Sequence, residues 1–275
     1  MSAVGLTVRS LTEFFRSTIL TGANLRGLTG VAVLLAVMEV AGPLGIPLLE
    51  KVPRFSAVVD RFIEPEGLLW REKYWMSWSV SLMRIGAAFV AGVLVGVPTG
   101  LLWGSSRRLK ALGFPVFEMF RPISPLAYLP VAIILLPGIE VSIIAIIFLG
   151  TFFAVVINAI NGVFQVDLSY QRAALSLGAS RRDIFFRIIL PGTLPSITTG
   201  ATIGMGISWI ELVAAEMIAG RAGLGYLTWE SYLVGDIPQV MAGMASMGLG
   251  GAVSCAVIWH TGRLLTPWLE DYRGR

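Results

Sequence analysis

Six charged residues, Glu39, Arg84, Glu118, Arg121, Glu211 and Glu216, stand inside or at the ends of long apolar runs. A charge at the centre of a bilayer costs about 2.5–3.5 kcal/mol on insertion scales, so such residues face protein or a water-filled path and seek partners. Two uses follow. Glutamate and arginine can pair inside the protein and fix helix packing; Glu118 and Arg121, three apart on one helix, can do so locally. Alternatively, an arginine lining a path makes it electropositive, which suits an anion. Other chemistries lack material. Cys255 is the lone cysteine and His260 the lone histidine, so neither an intramolecular disulfide nor a metal-ligand spacing is available. A Ser-His-Asp or Cys-His nucleophile has almost no raw material here, which argues against an intramembrane enzyme. There is no Gly-x-x-x-x-Gly-Lys-Ser/Thr phosphate loop, so the chain binds no ATP by that route.

The elements that must position these charges are membrane spans. The chain has 275 residues, 55% hydrophobic and 14% charged, with a mean hydropathy of +0.77. Soluble domains carry about 25% charged residues. The net charge of +4 needs no nucleic acid, since basic residues beside spans give the same excess. Six windows approach the roughly 20 apolar residues a spanning helix needs: 27–48, 77–103, 112–136, 139–163, 192–219 and 240–265. The third holds Pro122, Pro125 and Pro130 and is expected to be kinked or broken and packed inside protein. Residues 1–26 carry Arg9, Arg16 and Arg26 without a compact apolar core, so no cleaved signal is expected. With the N-terminus inside, the Lys and Arg on inner segments outnumber those on outer ones about twofold, which predicts both termini in the cytoplasm. The outer loop 51–75 contains "FSAVVDRFIEPEGLLW", a pattern for a helix lying on the membrane surface. Gly200, Gly204 and Gly206, and Gly243, Gly248, Gly250 and Gly251, give spans five and six small faces for close helix approach. The methionines beside them read as fillers.

Between spans four and five lies a charged segment, "RAALSLGASRRDIFFRIILP", residues 172–191. Asp167 or Ser169 can cap a first helix. Gly178 ends it, where a left-handed residue is needed. Ser180 caps a second helix, with Asp183 completing a capping box, and Pro191 is expected to break that helix from span five. An amphipathic loop held to anionic lipid by its arginines would share this composition but not these offsets.

The offsets resemble the coupling motif of ABC importer permeases: Glu-Ala-Ala, three residues, Gly, nine residues, Ile, one residue, Leu-Pro. Arg172, Ala173, Ala174, Gly178, Ile188, Leu190 and Pro191 occupy those positions, with Arg172 in place of the acid. No salt bridge is carried over to that position. "SLMR" (81–84), "GSSRRLK" (104–110), "RPISPLAYLP" (121–130) and "SWIELVAAEMIAGRAGLGYL" (208–227) are similar to the nitrate, sulfonate, taurine and bicarbonate branch. The similarity covers roughly residues 52–265.

The resemblance implies an all-α polytopic membrane protein of the type I ABC importer permease fold. Its six transmembrane helices would occupy 27–265, with a coupling helix at about 167–191 and cytoplasmic ends at 1–26 and 266–275. It implies a non-enzymatic subunit of the bacterial inner membrane that imports a small anion by alternating access. The implied partners are a second permease copy, two ATPase subunits that hold the ATP and magnesium, an extracytoplasmic binding protein and membrane lipid. No cofactor or metal is expected on this chain. Candidate path residues are Arg121, Ser124, Trp209 and Glu216. Arg121 would lie on the order of 12 Å into the membrane at 1.5 Å per residue, where "RPISP" interrupts the helix; Glu216 in "AAEM" reads as structural or gating. A transporter or channel driven by an ion gradient is the competing reading: it explains the intramembrane charges but not the coupling offsets.

Overall fold

Where the sequence is described, its apolar runs have become helices. The computed structural model describes residues 22–41, 53–63 and 68–268. The first 21 residues, the end of the expected first span beyond Ala41, and the tail beyond residue 268 lie outside them. All regular structure among the described residues is helical. The described residues divide into two compact units, one of residues 22–63 with 236–242, the other of 68–235 with 243–268.

The first unit holds α1 (Gly22–Ala41) and α2 (Phe55–Ile63). The Glu39 carboxylate accepts from both the backbone N–H and the hydroxyl of Ser56, each at 2.9 Å. Arg61 pairs with Asp236 at 3.1 Å. A helix does form in the 51–75 loop, and it is α2.

The second unit is built on α3 (Leu68–Ser105), α4 (Arg107–Phe120), a 3-10 turn (Pro125–Tyr128) and α5 (Leu129–Leu135). After these come α6 (Ile139–Gln165), α7 (Leu168–Ser176), α8 (Arg181–Ile184) and α9 (Leu190–Ala219). The short α10 (Leu224–Leu233) leads to α11 (Ile237–Leu265), whose residues from 243 belong here. Four helical runs are long and apolar enough to cross a bilayer: Glu72–Ser105, Ile139–Gln165, Arg181–Ala219 and Ile237–Leu265. A fifth crossing is formed if α4 and the Pro125–Leu135 pair count as one span, bent by 85°.

α6 lies at the centre, packed along its length on α3 and α9. The approach to α3 is set by glycine. Gly92, Gly96, Gly100 and Gly104 recur every four residues, and a Cβ on them would stand 2.7, 3.1, 2.5 and 2.8 Å from the Cβ atoms of Thr151, Val155, Ala159 and Val163. The two rows mesh because the α3 glycines leave room for the Thr, Val and Ala side chains of α6, the small-residue packing of membrane helices. Gly200 and Gly204 do the same for α9 against Asn158 and Thr151, whereas Gly206 and Gly248 face open space.

The third span is broken, as its prolines predict. Pro122 and Pro125 lack the N–H a continuing helix would use, and the chain turns at 121–124 before the 3-10 segment. One side of α4 is pinned by Phe117, which meets Trp103, Phe152 and Phe153 edge-on at 5.3–5.5 Å or 6.1 Å between ring centres. Within this chain the expected packing inside protein is seen on that side alone. Leu112, Met119, Ile134 and Leu135 are largely exposed in the chain. In hydrocarbon an apolar face needs no protein cover.

Pro191 does not break the helix. Residues from Arg181 to Ala219 form one continuous run, because the five residues Phe185–Ile189 widen into a π-turn in which the Leu190 N–H bonds back to the Phe185 carbonyl. A proline ring clashes with the carbonyl four residues before it, and a π-turn just ahead of it relieves that crowding. The break expected from sequence is absorbed as a wider turn.

Candidate functional site

Two constellations carry the polar chemistry, and the broken span adds a third. In residues 167–191, Asp167 caps α7 by accepting from the Ser169 N–H at 2.8 Å. That bond, the Ser169 hydroxyl and the nearby Arg172 charge hold the Asp167 carboxyl below the ordinary aspartate range. α7 ends in a Schellman motif: the Ala179 N–H reaches the Ala174 carbonyl and the Gly178 N–H reaches the Leu175 carbonyl, both at 3.0 Å, with Gly178 at φ +84°. Ser180 then opens α8 with a full capping box on Asp183. Ile184 and Ile189 seat the segment on Leu101 of α3 and Val163 of α6, and Ala174 and Ala179 pack against the same cluster. The outer side is bare. Arg172, Ala173 and Gly178 are exposed, Leu177 at the turn is 89% exposed, and a Cβ on Gly178 would meet nothing within 4 Å. The motif residues thus fold into two short capped helices meeting at a glycine, with a free face.

The second constellation is a buried ion cluster around Arg84, which is 1% exposed. Its Nε and Nη2 grip both oxygens of Glu140 at 2.7 and 2.6 Å. Its Nη1 donates to Glu216 at 2.8 Å and to the Ala222 carbonyl at 2.7 Å. The Glu216 carboxylate, fully buried, also accepts from the Ser81 hydroxyl at 2.8 Å and the Gly225 N–H at 2.9 Å. The Ser81 oxygen in turn receives the Leu224 N–H at 2.9 Å. Four elements therefore meet in one cluster: α3 through Ser81 and Arg84, the first turn of α6 through Glu140, the last turn of α9 through Glu216, and the start of α10 through the N–H groups of Leu224 and Gly225. The sequence "EMIAGRAGLG" explains itself here. The chain after Glu216 folds back over its own carboxylate, with Gly223 at φ +119°, and a Cβ on Gly223 would run into that carboxylate.

Sequence reasoning marked Arg84 and Glu216 as charges in need of partners and missed Glu140 and Ser81. A signal for Glu140 was present: an acid in the first turn of an apolar helix, where it complements the helix dipole.

At the broken span Arg121 pairs with Glu118 at 3.1 Å, both more than a third exposed. Ser124, beside it in the turn, is exposed and caps nothing with its side chain. Of the four candidate path residues, the fold brings Arg121 and Ser124 together. Trp209 lies in the core, its indole donating to Ser254 at 2.9 Å and edge-on to Trp78, and Glu216 belongs to the Arg84 cluster. Among the described residues no group of His, Cys, Asp or Glu could hold a metal ion.

Among the described residues the architecture is all-helical, with four or five candidate membrane spans, one of them broken, and an exposed pair of capped helices. Residues 96–271 match the family described as binding-protein-dependent transport system inner membrane component, and the chain belongs to that family. It is 37% identical to the taurine transport system permease protein TauC of Escherichia coli, over 85% of this chain and 83% of that protein. It is 35% identical to the nitrate import permease protein NrtB of Synechocystis, over 68% of each. The bicarbonate transport system permease protein CmpB of Synechocystis is 27% identical over 88% of this chain and 87% of its own length. Among solved structures, the methionine ABC transporter MetNI in inward-facing conformations aligns with a TM-score of 0.54 and 17% identity, over 74% of this chain and 97% of that one. The fold is that of a type I ABC importer permease, an inner-membrane, multi-pass transport subunit. Such permeases work with an ATPase and a substrate-binding protein.

Proposed function

We propose that this chain is the membrane-spanning subunit of an ATP-driven importer for a small anion of the nitrate, bicarbonate, sulfonate or taurine class. The observation that carries the reading is the segment 167–191, whose motif residues form a capped, glycine-hinged helix pair with an uncovered face. That face is the cytoplasmic coupling surface. Arg172, Ala173, Ala174 and Gly178 meet the ATPase, while Ile188, Leu190 and Pro191 tie the segment into α9. ATP and magnesium reside on two ATPase subunits, two copies of this chain enclose the path within the lipid bilayer, and an extracytoplasmic binding protein delivers the solute. Both termini are cytoplasmic, with the permease domain at 27–265 between short ends. Arg121 and Ser124 at the broken span face the path, and Trp209 and Glu216 support its wall.

The test is Gly178→Trp in the complex reconstituted with its ATPase and binding protein. A Cβ on Gly178 would meet nothing within 4 Å, so the substituted side chain leaves this chain's backbone without a clash at its root. A left-handed backbone position costs a non-glycine residue roughly 1–2 kcal/mol, so the spans still insert. Binding-protein-stimulated ATP hydrolysis and uptake are expected to be lost. Normal uptake by the variant would remove the coupling assignment.

A further inference from the structure

Among the described residues, one buried side-chain oxygen has no hydrogen-bond partner: Oε2 of Glu211. Glu211 is 8% exposed and stands on the membrane part of α9. Its carboxylate faces the backbone N–H of Leu126, in the first turn of the 3-10 segment that follows the break. The opposing wall is Gly150 of α6, where a Cβ would lie 3.4 Å from the Glu211 Cγ. One turn back along α9, the same face carries Ser208, three residues away. Its hydroxyl meets that of Thr151 at 2.5 Å and the Gly204 carbonyl at 2.8 Å, and Ser208 and Thr151 are both fully buried. The break is therefore backed by a strip of carboxylate, hydroxyls and backbone amide in an otherwise apolar interior.

No arginine of this region answers the acid. Arg84 is committed to Glu140 and Glu216, and Arg121 to Glu118. A buried charge without a partner is among the most costly arrangements in a protein. A packing role would be served better by an apolar side chain of the same volume. The strip has acceptors to spare, and an ammonium group brings three donors and a positive charge.

We propose that Glu211 is the subsite for the ammonium group of a zwitterionic substrate, a small molecule with an anionic head and a primary amine, reached when α9 and the 3-10 turn part during transport. This rests on the import of small anions proposed above and narrows it. A carboxylate at this point holds an aminosulfonate and repels a bare anion such as nitrate.

The experiment compares wild type, Glu211→Gln and Glu211→Asp in the full complex in proteoliposomes, with labelled taurine and labelled nitrate as probes. Wild type is expected to take up taurine in preference to nitrate. Glu211→Gln, nearly isosteric, should lower taurine uptake about tenfold or more, the loss of a charge-assisted hydrogen bond. Nitrate uptake and basal ATP hydrolysis should hold or rise. Glu211→Asp keeps the charge and should retain most taurine uptake; it decides the matter if the Gln variant does not assemble, since loss of taurine uptake in an assembled Asp variant would mark a packing role. Equal loss of both solutes, or no loss of taurine, would overturn the subsite. Nitrate uptake by a wild type that ignores taurine would also overturn it, while leaving anion import standing. ATP-independent uptake of either solute would overturn the import reading itself.

Discussion

The 167–191 segment and the Arg84 cluster are polar in opposite ways. In the first, every cap and turn is satisfied within a few residues: Asp167 by Ser169, Ser180 by Asp183, the α7 carbonyls by Gly178 and Ala179. In the second, Arg84 reaches 56 residues to Glu140 and 132 to Glu216. The first keeps its charges in water and can present them to another molecule. The second removes its charges from water and can only spend them on holding helix ends together. A surface meant for a partner can be made locally, whereas a fastening between four helices cannot. One is therefore tolerant of single substitutions in its own stability and the other is not.

The largest expected effect is on the fastening. Arg84→Met strands Glu216 without its cation in a dry site, and breaking a buried pair from one side costs about 3–5 kcal/mol. Thermal unfolding of the purified protein should show a large loss. Glu140→Gln, at the 58% exposed end of the same guanidinium, should cost far less, about 1 kcal/mol or below. Equal losses from the two would contradict the division into a buried and an exposed arm. Next comes Gly223→Ala. It combines a left-handed backbone with a methyl group placed in the Glu216 carboxylate, and of order 1–3 kcal/mol is expected from the backbone alone. Hydrogen exchange in α10 would report it, and unchanged protection there would show that the loop is held by something other than the carboxylate. The smallest effect belongs to the local segment. Ser180→Ala removes one N-cap, about 1 kcal/mol, and should loosen α8 without moving the midpoint of global unfolding. A shift as large as that of Arg84→Met would erase the contrast between the two regions.

The same contrast explains what could be read before the fold was known. Asp167, Gly178, Ser180 and Asp183 were legible because a cap or a left-handed turn is a matter of nearest neighbours, and the broken third span because proline acts on its own backbone. Arg84 and Glu216 were legible only as charges that must have partners. Glu140 carried a signal only as an acid suited to a first helical turn, not as the partner of Arg84, since nothing local ties it to a residue 56 positions earlier. The glycines at 92, 96, 100 and 104 carried a visible period of four whose partner row on α6, Thr151 to Val163, only packing reveals. Pro191 misled, because the rule that proline ends a helix assumes regular α geometry, and the chain widens a turn instead.

That widened turn also sets an angle. Each residue of an α-helix advances about 100° around the axis, and a π-turn accommodates one residue more than the regular count. Phe185–Ile189 therefore sets the azimuth of Arg181–Ile184 against the membrane part of α9, like an offset keyed into a shaft. Removing a single residue there would shorten the rod by only about 1.5 Å. Because the widened turn is what absorbs that residue, the turn would close to the regular count and the capped helix, with whatever it grips, would keep its heading; the same deletion in a regular stretch of the rod would swing it by about 100°.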